Sequence, residues 1–253
     1  MMMRMKASLL CLGWGLALAG LASGCADAAV CENRVHEGLD YTLCSVTAEE
    51  DLRVFHSDAN DVVLGSFGRV EEQLATEGLR LGFAMNAGMY HDDRRPVGLL
   101  IEEGRERAPI VTREGPGNFG MLPNGVFCIG QGRFDLYESR RFDAERPVCR
   151  FATQSGPMLV IDGALHPRFL PDSSSRFIRN GVGVSADGKT AYLVISGQAV
   201  TFFEFGSFFR EALGTPNALY FDGRISRLYA PVLGRNDFGF QMGPIIGLAE
   251  PAP

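Results

Sequence analysis

A carboxylate, a guanidinium and a set of amides and hydroxyls stand at the ends of apolar runs in this chain. Four stretches carry them: FAMNAGMYHDDRRPVGL from residue 83, ATQSGPML from 152, SSSRFIRNGVGVS from 173 and NALYFDGRISRLY from 217. In each, a run with strand character stops at Asn, Gln-Ser, Arg-Asn or Asp-Gly. Strand ends are where sites are built, because the strand fixes the backbone while the polar side chain projects from its rim. Any one of these stretches alone reads as a capped turn, and the four together point to a site. Other chemistries lack their residues. The four histidines, His36, His56, His91 and His166, are isolated from one another and read as surface or loop residues, and there is no Cys-x-x-Cys. A zinc centre or a metal-dependent phosphodiesterase would need clustered ligands. No metal site and no cofactor is expected, and a structural calcium in a loop stays open. Asp162-Gly163 and Asp187-Gly188 sit between hydrophobic runs, so these aspartates read as turn residues that tolerate positive φ.

At the same four stretches the chain resembles the phosphodiester glycosidase family. The resemblance rests on Asn86, Gly88 and Tyr90 followed by Pro96 to Leu99, on Gln154-Ser155-Gly156-Pro157, on Arg179-Asn180-Gly-Val-Gly, and on Asn217-Ala218-Leu219 leading to Asp222-Gly223 and Ser226. Order and spacing both fit. Family members often continue the last motif with further glycines, where this chain has Arg224 and Ile225. The resemblance implies cleavage of a sugar C1–oxygen bond whose leaving group is a phosphate ester. A phosphomonoester has a second pKa of about 6 and leaves as an anion, so a strong general acid becomes optional and one carboxylate can suffice. On this reading Asp222 is the carboxylate, as nucleophile or as base for water, and Arg179 is the phosphate clamp, its planar fork matching phosphate oxygens. Asn86, Gln154, Ser155, Asn180 and Ser226 are the expected neutral contacts to sugar or phosphate. Gly156 and Gly223 would let backbone N–H groups approach closely. Without the resemblance, Asp222-Gly223 reads as another hairpin turn, Arg179 as a partner for Asp172, Asn86 as a loop cap and Asp92 to Arg95 as a solvated turn. The alternative function is a non-catalytic module that binds envelope glycans or sugar phosphates in the same groove, a reading motivated by Arg224 and Ile225.

The elements that must position these residues are mostly strands. Short apolar runs separated by Asp-Gly, Glu-Gly or Gly-rich pairs, as in VGLLIEEG at 97, MLVIDGAL at 158 and GVSADGKTAYLVIS at 183, predict β-hairpins. Two helices stand out. Thr201-Phe-Phe-Glu204 is a capping box, Phe205, Phe208, Phe209 and Ala212 follow at helical spacing, and Gly214 with Pro216 ends the segment. An earlier helix is expected over Arg69 to Glu77, with Val70 and Leu74 inward and Gly78 as its stop. Strands with a few packed helices make the class α+β, or mixed α/β, in one domain over residues 29–253.

The whole chain has 253 residues and a net charge of −6, and its arginines are scattered among acidic residues. Nucleic acid, which requires a basic stripe, is therefore not an expected partner. Arg4 and Lys6 precede an apolar stretch from Ala7 to Ala22, the order of a secretory leader, and the stretch falls short of the roughly 20 residues that span a bilayer. Two cleavage sites compete. Ala22-Ser23-Gly24-Cys25 resembles a lipoprotein box that would leave Cys25 acylated as a membrane anchor, and Ala26-Asp27-Ala28 suits ordinary release, giving a signal peptide over 1–28. The expected location is periplasmic or extracellular. Cys31, Cys44, Cys128 and Cys149 remain, an even number bound for an oxidising compartment. Sequence does not separate the three connectivities. Sequential pairing closes the shortest loops and is the expected one.

Overall fold

The computed structural model describes residues 30–253. The leader, Cys25 and both cleavage sites lie outside the described residues. The chain first forms β1 (Val30–His36), β2 (Leu39–Thr47), β3 (Asp51–Phe55), α1 (Phe67–Ala75) and β4 (Leu79–Asn86). There follow β5 (Leu100–Glu102), β6 (Arg105–Ala108), β7 (Gly125–Gly130), β8 (Arg133–Glu138), α2 (Ser139–Glu145) and β9 (Phe151–Ser155). The C-terminal part comprises β10 (Met158–Ile161), β11 (Ala164–Leu165), β12 (Asn180–Val184), β13 (Thr190–Ser196), α3 (Phe202–Ser207) and β14 (Asn217–Asp222). It ends with β15 (Leu228–Ala230), β16 (Arg235–Asn236) and β17 (Ile245–Pro251).

These strands make three antiparallel sheets: β1-β2-β13-β12-β14-β10-β11, β16-β15-β4-β17-β3 and β6-β5-β9-β7-β8. Strands carry the architecture and the helices are short, so the α+β expectation holds with its weight on β. The hairpin signals are realised. Glu103-Gly104 joins β5 to β6, Asp162-Gly163 joins β10 to β11 with Asp162 at φ 47°, and Asp187-Gly188 joins β12 to β13.

Period-2 patterning decides which faces meet. Phe83 and Met85 of β4, Phe127 of β7, Phe151 of β9, Val182 of β12 and Phe221 of β14 converge in one core between the sheets. The opposite face of the seven-stranded sheet is covered by Phe205, Phe208 and Phe209, packed on Tyr41, Val194 and Tyr220. Glycines in β12 make this close approach fit. A Cβ at Gly183 would lie 2.7 Å from the Phe209 ring, and one at Gly181 would lie 2.5 Å from the Leu219 carbonyl.

The capping box is formed: Glu204 N–H donates to the Thr201 hydroxyl (3.1 Å) and Thr201 N–H to the Glu204 carboxylate (2.8 Å). The regular helix then stops at Ser207 and widens into a π-turn over Phe208–Ala212. The first helix begins at Phe67, two residues before the expected start, because Ser66 caps it by accepting from Arg69 N–H. Helix α2 was not expected. Its sequence SRRFDAE buries only Ser139 and Phe142, too little to leave an apolar period.

Both disulfides pair sequentially. Cys31 and Cys44 face each other across β1 and β2, and Cys128 joins Cys149 in the approach to β9. One histidine departs from expectation. His166 is buried, its ring centroid 4.8 Å from that of Phe169. Its Nδ1 accepts from Arg168 N–H and its Nε2 meets the Leu122 carbonyl, so a polar ring is satisfied inside the core. Burial lowers its pKa and favours the neutral ring.

Candidate active site

Asp222 is the last residue of β14, and the next strand, β15, belongs to a different sheet. Asp222-Gly223 is therefore a crossing between sheets, and the hairpin reading does not hold. The turn folds back onto the carboxylate: Gly223 N–H (2.6 Å) and Arg224 N–H (2.9 Å) donate to Asp222 Oδ1, and Ile225 N–H also points to the group. Burial raises the Asp222 pKa, and these donors with the Arg224 charge offset part of the rise. A carboxylate shifted upward is a stronger base toward water.

Two asparagines fix the crossing. Asn86 ends β4 and Asn180 begins β12. Asn86 Nδ2 donates to Asn180 Oδ1 (3.2 Å), and Asn180 Nδ2 donates to the Asn86 carbonyl (2.7 Å). Asn180 Oδ1 also accepts from Asp222 N–H (3.2 Å), while Asn86 Oδ1 accepts from Arg227 N–H (2.9 Å). The Ser226 hydroxyl lies 2.9 Å from the Asp222 carbonyl and 3.0 Å from that of Ile178, closing the loop on itself.

Arg179 precedes Asn180 and so points to the opposite face, toward α3. It is the largest fully buried side chain among the described residues. Its Nε donates to the Val200 carbonyl (2.9 Å) and Nη2 to the Ser175 carbonyl (3.0 Å), and its guanidinium carbon sits 3.7 Å from the Phe202 ring centre. Nη1 has no hydrogen-bond partner. No ion pair with Asp172 forms, and burial lowers the Arg179 pKa. A guanidinium held in this way carries a desolvation cost of several kcal/mol that carbonyls and rings offset only in part. Tyr220 links it to Asp222. The Tyr220 ring lies 5.4 Å from the guanidinium carbon, and its hydroxyl fills the space that a side chain at position 223 would need, which makes Gly223 obligatory there.

On the open side of Asp222 lies a cavity of about 340 Å³ lined by Tyr90, Asp92, Arg94, Asp222, Arg224, Ile225 and Phe240. The Tyr90 hydroxyl is buried and has no hydrogen-bond partner, and burial together with the Asp222 charge raises its pKa.

A family model for phosphodiester glycosidases matches residues 80–239, a span that includes every residue from Asn86 to Ser226 named above. The chain belongs to the phosphodiester glycosidase family. An uncharacterized Escherichia coli protein, YigE, is 33% identical over 180 residues, covering 71% of this chain and 70% of its own. Among solved structures, the fold is similar to the zebrafish N-acetylglucosamine-1-phosphodiester alpha-N-acetylglucosaminidase catalytic domain, auto-inhibited by its pro-peptide. That match has a TM-score of 0.60 at 11% identity, over 88% of this chain and 82% of that one. A Burkholderia pseudomallei protein described as exported gives a TM-score of 0.54 at 10% identity, over 83% and 74%.

In this member of the family the expected site residues divide into two groups. Asp222, Gly223 and Ser226 are half-buried, and of the three Asp222 lines the cavity, whereas Asn86, Ser155, Asn180 and Arg179 are fully buried. Ser155 donates to the Phe221 carbonyl (2.7 Å), tying β9 to β14. Gln154 is a correction. It faces away from Ser155, accepts from Leu99 and Val111 N–H, and donates to the Val111 carbonyl and the Ser139 hydroxyl. All its hydrogen-bonding capacity is used, so it braces the β5–β9 region and has none left for substrate. Gly156 is a second correction. A Cβ there would lie 2.5 Å from Asn124 Cβ, so the glycine serves packing against the 119–124 loop. Reading by sequence missed Asp92, Arg94 and Phe240 as lining residues. Asp92 and Arg94 were hidden in a run that looks like a solvated turn, and Phe240 lies in the polar-rich stretch from Arg235 to Gln241, beyond the four stretches singled out.

Proposed function

We propose that this protein hydrolyses the glycosidic bond of a sugar 1-phosphodiester. The observation that carries the reading is a fully buried Arg179, lacking a carboxylate partner and with Nη1 unbonded, one residue from the Asn180–Asp222 junction. A buried cation with no ion pair of its own, eased only by the Tyr220 hydroxyl and by a Glu204 carboxylate already paired with Arg176, is the arrangement that an anionic ligand completes. The half-exposed Phe177 ring, 5.5 Å from the guanidinium carbon, is the cover that a phosphate would displace.

In this reaction the C1–oxygen bond breaks and its electron pair leaves with the phosphate, whose charge Arg179 holds. Water supplies hydroxyl to C1. Asp222 either takes the proton from that water or attacks C1 first and is released by water in a second step; the anomer of the product distinguishes the two. Tyr220 and Gly223 relay the position of Arg179 to Asp222. We also read the protein as exported to the periplasm or the outside of the cell, with Cys25 as an acylation site: both disulfides suit an oxidising compartment.

Arg224 and Ile225 line the cavity where many family members have glycine, and they favour a second reading, a module that binds sugar phosphates without turnover. Steady-state kinetics on an aryl phosphodiester of a 1-linked sugar separates them. Asp222→Asn should lower kcat with KM little changed, and Arg179→Ala should raise KM as well as lower kcat. Each loss should be about 3 kcal/mol in transition-state stabilisation. Binding without turnover by the unaltered protein would establish the module, and near-normal turnover by Asp222→Asn would remove Asp222 from the chemistry.

A further inference from the structure

Large apolar side chains in a folded domain are usually covered, yet Phe238 and Phe240 are 93% and 81% exposed. They flank Gly239 on one loop, and Phe240 also lines the Asp222 cavity. The loop is not loosely attached. Arg227 donates to the Phe240 carbonyl, and its guanidinium packs so closely on Gly239 that a Cβ there would meet its carbon at 2.8 Å. Asp237 at the root of the loop accepts from Leu228 N–H and is paired with Arg235 at 2.7 Å. The backbone is thus braced while two rings project outward.

Two further exposed apolar side chains lie on the neighbouring segment. Ile178 (36% exposed) and Phe177 (49% exposed) adjoin the Asp222 turn through the Ser226 hydroxyl, which reaches the Ile178 carbonyl. The charges interleaved with these rings are mainly positive. Arg94, Arg224 and Arg227 form no ion pair among the described residues: Arg94 donates to the Asp92 carbonyl and lies over Tyr90, and Arg227 is committed to the loop backbone. The nearby acidic groups are mostly neutralised or withdrawn. Asp93 is paired with Arg95, Asp237 with Arg235, and Asp222 is enclosed by backbone donors, which leaves Asp92. In a chain of net charge −6, this is a local reversal of sign.

We infer that the rim of the Asp222 cavity docks on an anionic lipid surface, with Phe238 and Phe240 entering the acyl boundary and Arg94, Arg224 and Arg227 facing the headgroups. Projecting aromatic rings with arginines beside them combine the two contributions that hold proteins at such an interface, apolar burial and attraction to anionic lipid. Docking there brings the cavity mouth against the bilayer, where a lipid-borne phosphodiester would be presented. The docking itself does not depend on the hydrolase reading.

The test is local to the loop. The chain has one tryptophan, Trp14. In the leader-free chain from Ala29, where Phe238→Trp then supplies the single tryptophan, fluorescence is followed with vesicles of phosphatidylcholine alone or with a quarter phosphatidylglycerol, each bearing brominated acyl chains. Quenching and a blue shift are expected with the anionic vesicles, with clearly weaker response to the neutral ones. Adding Arg224→Ala should weaken the anionic response about fivefold, the effect of one basic residue near a charged surface. Adding Phe240→Ser should weaken it further than that. Absence of quenching while the protein sediments with vesicles would mean that another segment binds, and overturns the proposal. Equal quenching by neutral and anionic vesicles overturns it too, as does saturable emission change on addition of a protein fraction with none on addition of vesicles.

Discussion

The Tyr90 hydroxyl offers the sharpest test of how this site trades stability for ligand contact. It is buried beside Asp222 without a hydrogen-bond partner. An unsatisfied buried hydroxyl costs about 1–3 kcal/mol relative to its solvated state, so Tyr90→Phe should relieve most of that while keeping the ring. The ring contacts are fixed by Gly243, whose Cβ would overlap Tyr90, and by Arg94, 5.5 Å from the ring centre. Losing one oxygen opens little space, so the net gain should be about 1 kcal/mol, or roughly 2–4 °C in Tm for a domain of this size. Urea denaturation of the oxidised protein should show a higher midpoint with unchanged slope. If the hydroxyl is held unpaired for a ligand, the same variant should lose about five- to tenfold in kcat/KM, the weight of one neutral hydrogen bond. A variant less stable than the parent by about 1 kcal/mol would show that the hydroxyl has a structural partner and would refute the reasoning.

Two further outcomes follow from the same structure. The acid limb of kcat/KM should lie above the ordinary aspartate pKa of about 3.9, because burial raises Asp222 and only its ionised form can act as base or nucleophile. Activity is then lost as pH falls through that raised value, and a limb at or below 3.9 in a pH–rate profile would count against Asp222. Replacing Cys128 and Cys149 by alanine should lower unfolding stability in urea by about 3 kcal/mol, and Cys31 with Cys44 slightly less, since the enclosed separations are 21 and 13 residues.

Sequence was informative where one local rule decided the outcome. The Thr201–Glu204 capping box, the Asp-Gly hairpins and the sequential disulfides each depend on neighbours within a short loop, and each appears as expected. It was less informative where the partner is distant. Gln154 and Ser155 are adjacent letters in one motif, yet strand alternation sends one to Val111 and the other to Phe221. No spacing rule tells which of the two faces the site. Arg179 is similar. Its type announced an anion clamp, but its complete burial beneath α3 depends on Phe202 and Val200, some twenty positions later. His166 read as a surface or loop residue because no other histidine stands near it in the sequence, and it is held inside by Phe169 and Leu122.

The position of Asp222 at a junction between sheets has a consequence for how the site can vary. A carboxylate on a hairpin tip would be independent of the core, whereas here its backbone N–H is held by Asn180, which is held by Asn86, and these two begin and end strands of different sheets. Moving one sheet against another therefore moves the carboxylate. Buried amide pairs of this kind tolerate little substitution, since removing either partner leaves the other unsatisfied. The side chains of Arg224 and Phe240 on the open side carry no such obligation: both are exposed and neither joins the asparagine network, while Arg224 and Ile225 hold Asp222 through backbone N–H groups that any residue but proline supplies. The constraint on the geometry around Asp222 and the freedom of the mouth thus fall on different residues. A family built on this frame can change what it accepts at 224 and 240 without disturbing the way Asp222 is held, whereas Ile225 also packs on the core beneath it.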